Sequence, residues 1–218
     1  MQKIKYGIIG PSGRMGKEIK SLMDEYGNTL VFTFDIDGEW QEDIPQVIID
    51  FSSPAAFDKG VDYALKFKAA LVNGTTGLKE EHINKLKIIS KDIPVVQSFN
   101  FSLGLQMLLK CTELLKEKLP DWDMEVSETH HRFKKDKPSG TALMIKDVLS
   151  KDINISSLRL GNVAGEHTVY FGGLGEVISV KHTALSRRTF AEGAAKAAYF
   201  LLDKSNGFYT IKDVLFNS

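Results

Sequence analysis

The chain has 218 residues, of which 43% are hydrophobic, enough for one large or two small domains with a sizeable core. Its 28 basic residues balance its 28 acidic residues, which argues against a nucleic-acid partner, since that needs a basic excess to neutralise phosphates. No apolar run approaches the roughly 20 residues of a membrane span, and no signal peptide or pair of cysteines is seen, so we expect a cytoplasmic protein without a membrane partner.

Short apolar segments alternate with amphipathic ones through the first hundred residues. Strands are predicted at 4–9, 30–34, 46–51, 69–73 and 94–97, and helices at 14–26, 54–67 and 79–91. This alternation is typical of a parallel sheet with helices on both faces. The predicted fold class is therefore α/β, with a Rossmann-like parallel sheet domain.

The pattern changes after residue 102. Helices are predicted at 103–119 and 139–149, and strands at 122–129, 158–162, 167–171 and 176–184. These strands are expected to be antiparallel and to form a second α+β domain with an open, mixed or antiparallel sheet. An alanine-rich helix at 189–202 is expected to return to the first domain, so the predicted boundaries are 1–102 with 189–218, and 103–188.

Three glycines, Gly10, Gly13 and Gly16, follow the first predicted strand and precede the first helix. In this context a glycine-rich turn holds the pyrophosphate of a dinucleotide against the N–H groups of a helix start. Arg14 could reinforce the phosphate contact. The spacing departs from the commonest fingerprint, so a plain strand-to-helix turn is the alternative.

The second predicted strand ends at Asp35, where an acid typically accepts hydrogen bonds from the adenosine ribose. Asp37 is the alternative ribose ligand. A carboxylate repels the additional phosphate of NADP, which favours NADH. Arg14 or Lys17 could reach the same space, so the use of NADPH stays open.

Further loops follow the predicted strands at 50–54, 74–77 and 98–104, where ligands of open α/β sheets bind. Thr75 and Thr76 are expected on the nicotinamide side, and Asn100 near the cofactor amide or ribose. Ordinary turn chemistry explains each loop equally well when it is taken alone.

The segment 128–141 concentrates the groups that a small dianionic substrate would need. His130 and His131 are adjacent at a strand end, so their side chains point in opposite directions and are expected to differ in role. A histidine suits general acid catalysis near neutral pH, and Lys134 could stabilise charge that develops on the substrate.

A helix start at Ser139, Gly140 and Thr141 offers N–H groups and hydroxyls to a carboxylate. Metal binding is the competing interpretation. Adjacent histidines on a strand do not readily chelate one ion and the lysines would repel it, so no metal is predicted. A solvated charged loop, capped at Ser139, is the other alternative.

Five motifs occur in the order found in one known family. They are Gly-x-x-Gly-Arg-Met-Gly at 10–16, Asp-Phe-Ser-Ser-Pro at 50–54, Gly-Thr-Thr-Gly at 74–77, Asn-Phe-Ser at 100–102 and Glu-x-His-His-x-x-Lys-x-Asp-x-Pro-Ser-Gly-Thr-Ala at 128–142. Over essentially its whole length the chain resembles the 4-hydroxy-tetrahydrodipicolinate reductases, formerly called dihydrodipicolinate reductases. The last motif is highly specific, whereas the glycine turn is not.

The resemblance implies NAD(P)H-dependent reduction of the cyclic product of pyruvate and aspartate semialdehyde, on the diaminopimelate route to lysine. It implies that His130 is the proton donor and Lys134 the second catalytic residue. The dicarboxylate substrate would be held by His131, Ser139, Gly140 and Thr141. The cofactor would be held by Gly10, Pro11, Ser12, Gly13, Arg14, Met15, Asp35, Gly74, Thr75, Thr76, Ser98, Phe99, Asn100 and Phe101.

The resemblance also implies a homotetramer assembled through the sheet of the second domain. Some members carry a basic residue after the ribose-binding acid, where this chain has Ile36. Two other functions stay open: another two-domain dehydrogenase, such as one acting on aspartate semialdehyde, and a non-catalytic nucleotide sensor. The phosphorylating dehydrogenase needs a catalytic cysteine, and Cys111 falls within a predicted helix. A sensor has no reason to retain both His130 and Lys134.

Overall fold

The computed structural model describes residues 2–150 and 152–217. The chain divides into two compact units, of which the first comprises Met1–Leu103 with Arg188–Ser218 and the second comprises Gly104–Arg187. None of the described helices combines the length and the hydropathy that a bilayer span requires.

The strands and helices follow one another in the alternating order expected of this class. The strands are β1 (Lys5–Ile9), β2 (Thr29–Asp35), β3 (Gly38–Gln41), β4 (Val47–Asp50), β5 (Ala70–Asn73), β6 (Pro94–Gln97), β7 (Asp123–His130), β8 (Ile155–Arg159), β9 (Gly165–Gly172), β10 (Val177–Ala184) and β11 (Gly207–Thr210). The α-helices are α1 (Arg14–Glu25), α2 (Phe57–Phe67), α3 (Glu80–Ile89), α4 (Leu103–Lys118), α5 (Gly140–Leu149), α6 (Arg188–Leu202) and α7 (Ile211–Phe216). A 3₁₀ turn, Pro54–Ala56, leads into α2.

The first unit is built on a seven-stranded sheet in the order β11-β6-β5-β4-β1-β2-β3. Its neighbouring strands are parallel except for the antiparallel pair β2–β3. Tyr6 and Ile8 pack in a cluster with α1, α6 and α7, whereas Ile9 and Phe32 pack in another cluster with α2 and α3. The predicted Rossmann-like sheet with helices on both faces is confirmed, and its loops after β1, β2 and β4 emerge at the edge where such sheets bind ligands.

The sequence does not predict β3 or β11. All four residues of β3 are exposed and all four of β11 are only partly buried, so neither strand carries a run of buried apolar residues. Both lie at an edge of the sheet. Whether an edge strand pairs depends on the strand beside it more than on the β-propensity of its own residues. The local sequence pattern does not reveal which strand becomes that neighbour.

The second unit has a four-stranded sheet in the order β10-β9-β7-β8, packed on α4 and α5. β9 is antiparallel to β7 and β10, but β8 is parallel to β7. The expectation of antiparallel strands is therefore wrong for β8, because α5 forms a crossover that returns the chain in the same direction. The strand predicted at 158–162 overlaps β8 only at Leu158 and Arg159, because β8 begins earlier, at Ile155, and ends at Arg159. The predicted mixed sheet is confirmed.

Alternation along β7 determines which of its side chains are buried. The buried positions are Met124, Val126, Glu128 and His130, while the residues between them are exposed or half-buried. Met124 and Val126 pack in the hydrophobic core of the second unit. The same two-residue period therefore directs a carboxylate and an imidazole to the buried side of the sheet.

Candidate active site

The glycine turn between β1 and α1 has the geometry of a phosphate-binding loop. Gly10 has a φ of 77°, in the left-handed region that favours glycine, and its N–H donates to the Phe34 carbonyl at 2.8 Å. A Cβ at Gly16 would lie 2.1 Å from the Gly10 carbonyl oxygen, so α1 approaches the turn closely. The N-cap residue, Gly13, has no side chain to bond the first helical N–H groups, which suits these groups to binding an anion.

A cavity of about 480 Å³ opens beside this turn, and its walls include Gly10, Ser12, Gly13, Asp35, Ser52 and Lys59. The Asp35 carboxylate accepts the Ser12 N–H at 2.9 Å. Hydrogen bonds from Ser12 hold the pKa of Asp35 below its usual value. Asp35, and not Asp37, lies on the cavity wall. The turn, the cavity and the acid together fit the adenosine diphosphate half of a dinucleotide.

Lys59 of α2 is the basic residue on this wall, among the residues that the structure describes. Arg14 and Lys17, which the sequence places near the phosphates, do not line the cavity. The cavity therefore combines an acid from the end of β2 with a base from α2. Sequence reasoning misses Lys59, because only the packing of α2 beside the sheet brings it to this wall.

Asp50 ends β4 and is surrounded by hydrogen-bond donors. It is 1% exposed, and it accepts the Ser52 N–H at 3.0 Å, the Ser52 hydroxyl at 2.6 Å, the Thr75 hydroxyl at 3.2 Å and the Asn73 amide at 3.0 Å. Burial raises the pKa of Asp50 to about 6, although these hydrogen bonds oppose the rise. The carboxylate ties the loop after β4 to the loop after β5.

The other predicted cofactor residues have varied environments. Thr75 is buried and Thr76 is exposed. The Asn100 side chain accepts the Ser102 N–H at 2.9 Å. Phe101 is 1% exposed and packs in the core, so its side chain does not face a ligand. Ten predicted residues lie outside the cavity wall: Pro11, Arg14, Met15, Gly74, Thr75, Thr76, Ser98, Phe99, Asn100 and Phe101.

His130, at the end of β7 in the second unit, is 7% exposed. Its Nδ1 pairs with the carboxylate of Glu128, which lies two residues earlier on the same face of the strand. Burial lowers the pKa of His130 from its usual value, and Glu128 opposes that decrease. Because Nδ1 faces a carboxylate, the proton of the neutral ring belongs on Nδ1, and Nε2 is the atom that can exchange a proton.

The guanidinium of Arg159, from β8, neutralises Glu128. Its Nη2 donates to the Glu128 carboxylate at 2.8 Å and to the Asp136 carbonyl at 2.5 Å. Burial opposes the ionisation of Glu128, but hydrogen bonds, that of Arg159 foremost, prevail and lower its pKa to about 2. Glu128 is therefore a carboxylate throughout the neutral range.

Glu128, His130 and His167 each offer an atom of the type that binds metals, and these atoms lie within 4.8 Å of one another. Arg159 already neutralises Glu128, and its fixed charge would repel a cation at this position. We therefore interpret the cluster as a hydrogen-bonding network.

The N-cap of α5, Ser139, is bonded within the unit. Its N–H donates to Glu128 at 3.3 Å, and its hydroxyl accepts the Ala142 N–H at 3.2 Å and lies 3.2 Å from His167 Nε2. Burial lowers the pKa of His167 to about 4, so this ring is neutral at pH 7. Gly140, which is exposed, and Thr141, which is half-buried, follow as the first helical residues.

Lys134 lies in the loop between β7 and α5, and its ammonium pairs with the Asp136 carboxylate at 2.9 Å. Lys134, and to a smaller extent the Gly140 N–H, lower the pKa of Asp136. Asp136 therefore contacts two groups that the sequence assigns to catalysis or substrate. His131 is half-buried, and its Nδ1 has no hydrogen-bond partner among the described residues.

Sequence reasoning assigns no role to Glu128, Arg159 or His167. The alternation of β7 is a signal that could have paired Glu128 with His130. Arg159 and His167 come from β8 and β9, and only the order of the strands places them beside β7.

Comparison with known proteins places the chain among reductases. It matches the models of dihydrodipicolinate reductase, N-terminus, over residues 4–101, and C-terminus, over residues 104–215. It is 47% identical to 4-hydroxy-tetrahydrodipicolinate reductase of Thermosipho africanus (strain TCF52B), covering 97% of this chain and 98% of that protein. It is 36% identical to the protein of the same name from Rickettsia rickettsii (strain Sheila Smith), with the same coverage of both chains.

The fold is similar to that of two solved structures. Dipicolinate-bound dihydrodipicolinate reductase from Paenisporosarcina sp. TG-14 has a TM-score of 0.81 and 22% identity, covering 96% of this chain and 98% of that one. WlbA dehydrogenase from Thermus thermophilus, in complex with NAD and α-ketoglutarate, has a TM-score of 0.61 and 12% identity, covering 97% and 91%. At these identities the likeness concerns the fold.

The dinucleotide-type turn and cavity of one unit, and the buried histidine–carboxylate pair of the other, define an oxidoreductase that uses a nicotinamide cofactor. The matched family models together span nearly all of the chain. The chain belongs to the dihydrodipicolinate reductase family, and the predicted family is confirmed.

The Asp50 network yields a prediction about stability. Asp50→Ala removes the acceptor for the buried donors of Asn73 and Thr75 and for the half-buried Ser52 hydroxyl. Each unpaired group costs about 1–3 kcal/mol, so we expect the melting temperature to fall by at least about 5 °C. Asp50→Asn is the matched variant, because it keeps one acceptor oxygen, and it should lose less. Thermal unfolding followed by circular dichroism measures both, and an unchanged melting temperature in the alanine variant would contradict the prediction.

Proposed function

We propose that the chain is a 4-hydroxy-tetrahydrodipicolinate reductase that uses NAD(P)H to reduce the cyclic dicarboxylate imine formed from pyruvate and aspartate semialdehyde. The product is tetrahydrodipicolinate, on the diaminopimelate route to lysine. The observation that carries the proposal is the buried His130–Glu128 pair, in the same unit as the α5 start. It supplies a proton donor beside a potential carboxylate site.

The cofactor is proposed to bind the first unit at the glycine turn and the cavity beside it. Gly10, Ser12, Gly13 and Asp35 hold the adenosine and phosphate groups, and the loops at 74–76 and 98–101 face the nicotinamide half. Bound NAD(P)H supplies a hydride. The first unit holds and orients the cofactor, and Asp50 keeps two of its loops together.

The substrate is proposed to bind the second unit. Loss of the 4-hydroxyl as water leaves a conjugated imine. Hydride addition to this imine leaves electron density that a proton must neutralise, and His130 donates that proton from Nε2. Lys134 assists by stabilising charge on the ring. Because Lys134 pairs with Asp136, we infer that the substrate ring takes the place of Asp136 at this ammonium.

The carboxylates are proposed to bind His131, Gly140 and Thr141. Ser139 holds the start of α5 in place and does not itself bind the substrate, because its N–H and hydroxyl already have partners inside the unit. The hydroxyl of Thr141 and the N–H groups of the first helical turn provide charge-assisted hydrogen bonds.

The second unit is also proposed to assemble the protein as a homotetramer through its sheet. Large exposed residues on the sheet, Tyr170 and Val177, support this assignment. We further propose a cytoplasmic enzyme with no nucleic-acid or membrane partner.

The proposed activity is tested directly by mixing the protein with NADH while the cyclic substrate is generated in situ from pyruvate and aspartate semialdehyde. Loss of NADH absorbance that requires both precursors and their condensing enzyme supports it. If the protein turned over with neither NADH nor NADPH, the proposed activity would be contradicted.

The proton-donor role predicts a loss of turnover. His130→Ala should lower kcat by about 10²–10⁴-fold, the usual contribution of a general acid. Lys134→Ala should also lower kcat, whereas Lys135→Ala, which removes the exposed neighbouring lysine, should not. Steady-state kinetics with saturating NADH measures all three. A His130→Ala enzyme with nearly wild-type kcat would show that another group donates the proton.

The carboxylate site predicts an effect on substrate affinity. Thr141→Val should raise KM for the dicarboxylate by about 10-fold or more, since a hydrogen bond to a charged group contributes about 1.5–3 kcal/mol. NADH affinity should stay unchanged, and Thr141→Ser should keep most of the wild-type KM. A change confined to NADH binding would instead assign Thr141 to the cofactor.

Cofactor preference is predicted to depend on the two charged residues of the cavity. Asp35→Ala should weaken NADH and leave NADPH similar or tighter, because the carboxylate binds the ribose and repels the additional phosphate. Lys59→Ala should weaken NADPH by up to about 10-fold and spare NADH. Lys66→Ala, on the same helix but against the Tyr63 and Phe67 rings, is the control. Fluorescence titration with both cofactors measures this, and equal effects of Lys59→Ala on both would exclude a contact with the additional phosphate of NADPH.

A further inference from the structure

We propose that Glu128 is a positioning residue that holds the His130 ring with Nδ1 protonated, so that Nε2 is the nitrogen that gains and donates the catalytic proton. Glu128 also joins this ring to the start of α5. The inference rests on the proposed role of His130 and assigns the group that orients it. Glu128 itself is 1% exposed and meets neither solvent nor substrate directly.

The first support is the hydrogen bonding of the carboxylate. One oxygen faces His130 Nδ1, and the other accepts from Arg159 Nη2 at 2.8 Å and from the Ser139 N–H at 3.3 Å. A buried carboxylate with these partners has little freedom to move, because displacement would leave charged groups unpaired. The His130 ring is thus fixed at one nitrogen.

The second support is the close approach of β9 to the other ring nitrogen of His130, Nε2. A Cβ built on Gly165 of β9 would lie 3.1 Å from His130 Nε2. The neighbouring strand therefore approaches the ring closely, and a glycine leaves room there. A neutral ring protonated on Nδ1 has no proton on Nε2. His130 therefore donates from Nε2 only as an imidazolium.

The charges around the ring make Glu128 the group that favours this imidazolium. Glu128 raises the pKa of His130, whereas burial and the charges of Lys134 and Arg159 lower it. The ring of His167 lies 5.2 Å away and is neutral at pH 7. Without the Glu128 carboxylate, burial and the neighbouring positive charges would act unopposed. The His130 imidazolium would then lose its proton at lower pH.

The third support is the link to α5. Glu128 holds the backbone of Ser139, whose hydroxyl in turn caps Ala142 and contacts His167. Gly140 and Thr141 follow directly in the chain. One carboxylate therefore positions both the proton donor and the helix start that is proposed to bind a substrate carboxylate.

The test compares Glu128→Gln with Glu125→Gln, an exposed position on the same strand whose partner is Asn154. In Glu128→Gln, kcat should fall at least about 10-fold, within the range of a general acid. The alkaline limb of kcat/KM against pH should also move to lower pH, because the imidazolium loses its counter-charge. NADH affinity should be unchanged, and Glu125→Gln should match the wild type throughout. An unaltered pH profile in Glu128→Gln, with kcat within about twofold of wild type, would overturn the proposal.

A measurement on the wild-type protein decides the case in which Glu128→Gln does not fold. ¹⁵N NMR of histidine-labelled protein, with the His130 signals assigned by their loss in His130→Ala, should show the Nδ1–H tautomer for the neutral ring. An Nε2–H tautomer would overturn the proposal. Because no substrate is needed, this result is independent of the proposed function, which fails separately if the wild type oxidises neither NADH nor NADPH in the coupled assay.

Discussion

A carboxylate removed from water must be surrounded by donors, and this constraint shapes both candidate sites. Asp50 in the first unit and Glu128 in the second are each 1% exposed. Asp50 ends a parallel strand, and Glu128 lies two residues before the end of one that is parallel to β8. The hydrogen-bond donors to Asp50 lie in or next to the loops after β4 and β5. The partners of Glu128 include the proposed proton donor and the start of the helix that is proposed to bind substrate.

The two carboxylates differ in the charge of their partners, and so in their titration. Asp50 meets neutral donors, so burial prevails and raises its pKa to about 6. Glu128 meets the Arg159 guanidinium, so its pKa falls to about 2 despite burial. Asp50 is therefore suited to tying loops together, whereas Glu128 is a permanent negative charge that can stabilise an imidazolium.

The order of the strands explains why the proposed cofactor region is easier to predict than the proposed substrate region. Gly10, Asp35 and Asp50 each lie at or just after the end of a strand, and parallel strands present these ends at one edge of the sheet. Knowing that the sheet is parallel is enough to predict a shared region. The exception is Lys59, whose place on the wall depends on how α2 packs.

By itself, the sequence determined the α/β class, the glycine turn, the acid at the end of β2 and the motif that contains His130, because these depend on local periodicity and on residues close together in the chain. Only the tertiary structure decided that β8 runs parallel to β7, that β3 and β11 pair at the sheet edges, and that Arg159 and His167 lie beside Glu128. These features join residues from different strands. Their stability comes from burial and from the pairing of charges across the sheet, and a local pattern carries no information about which distant strand becomes the neighbour.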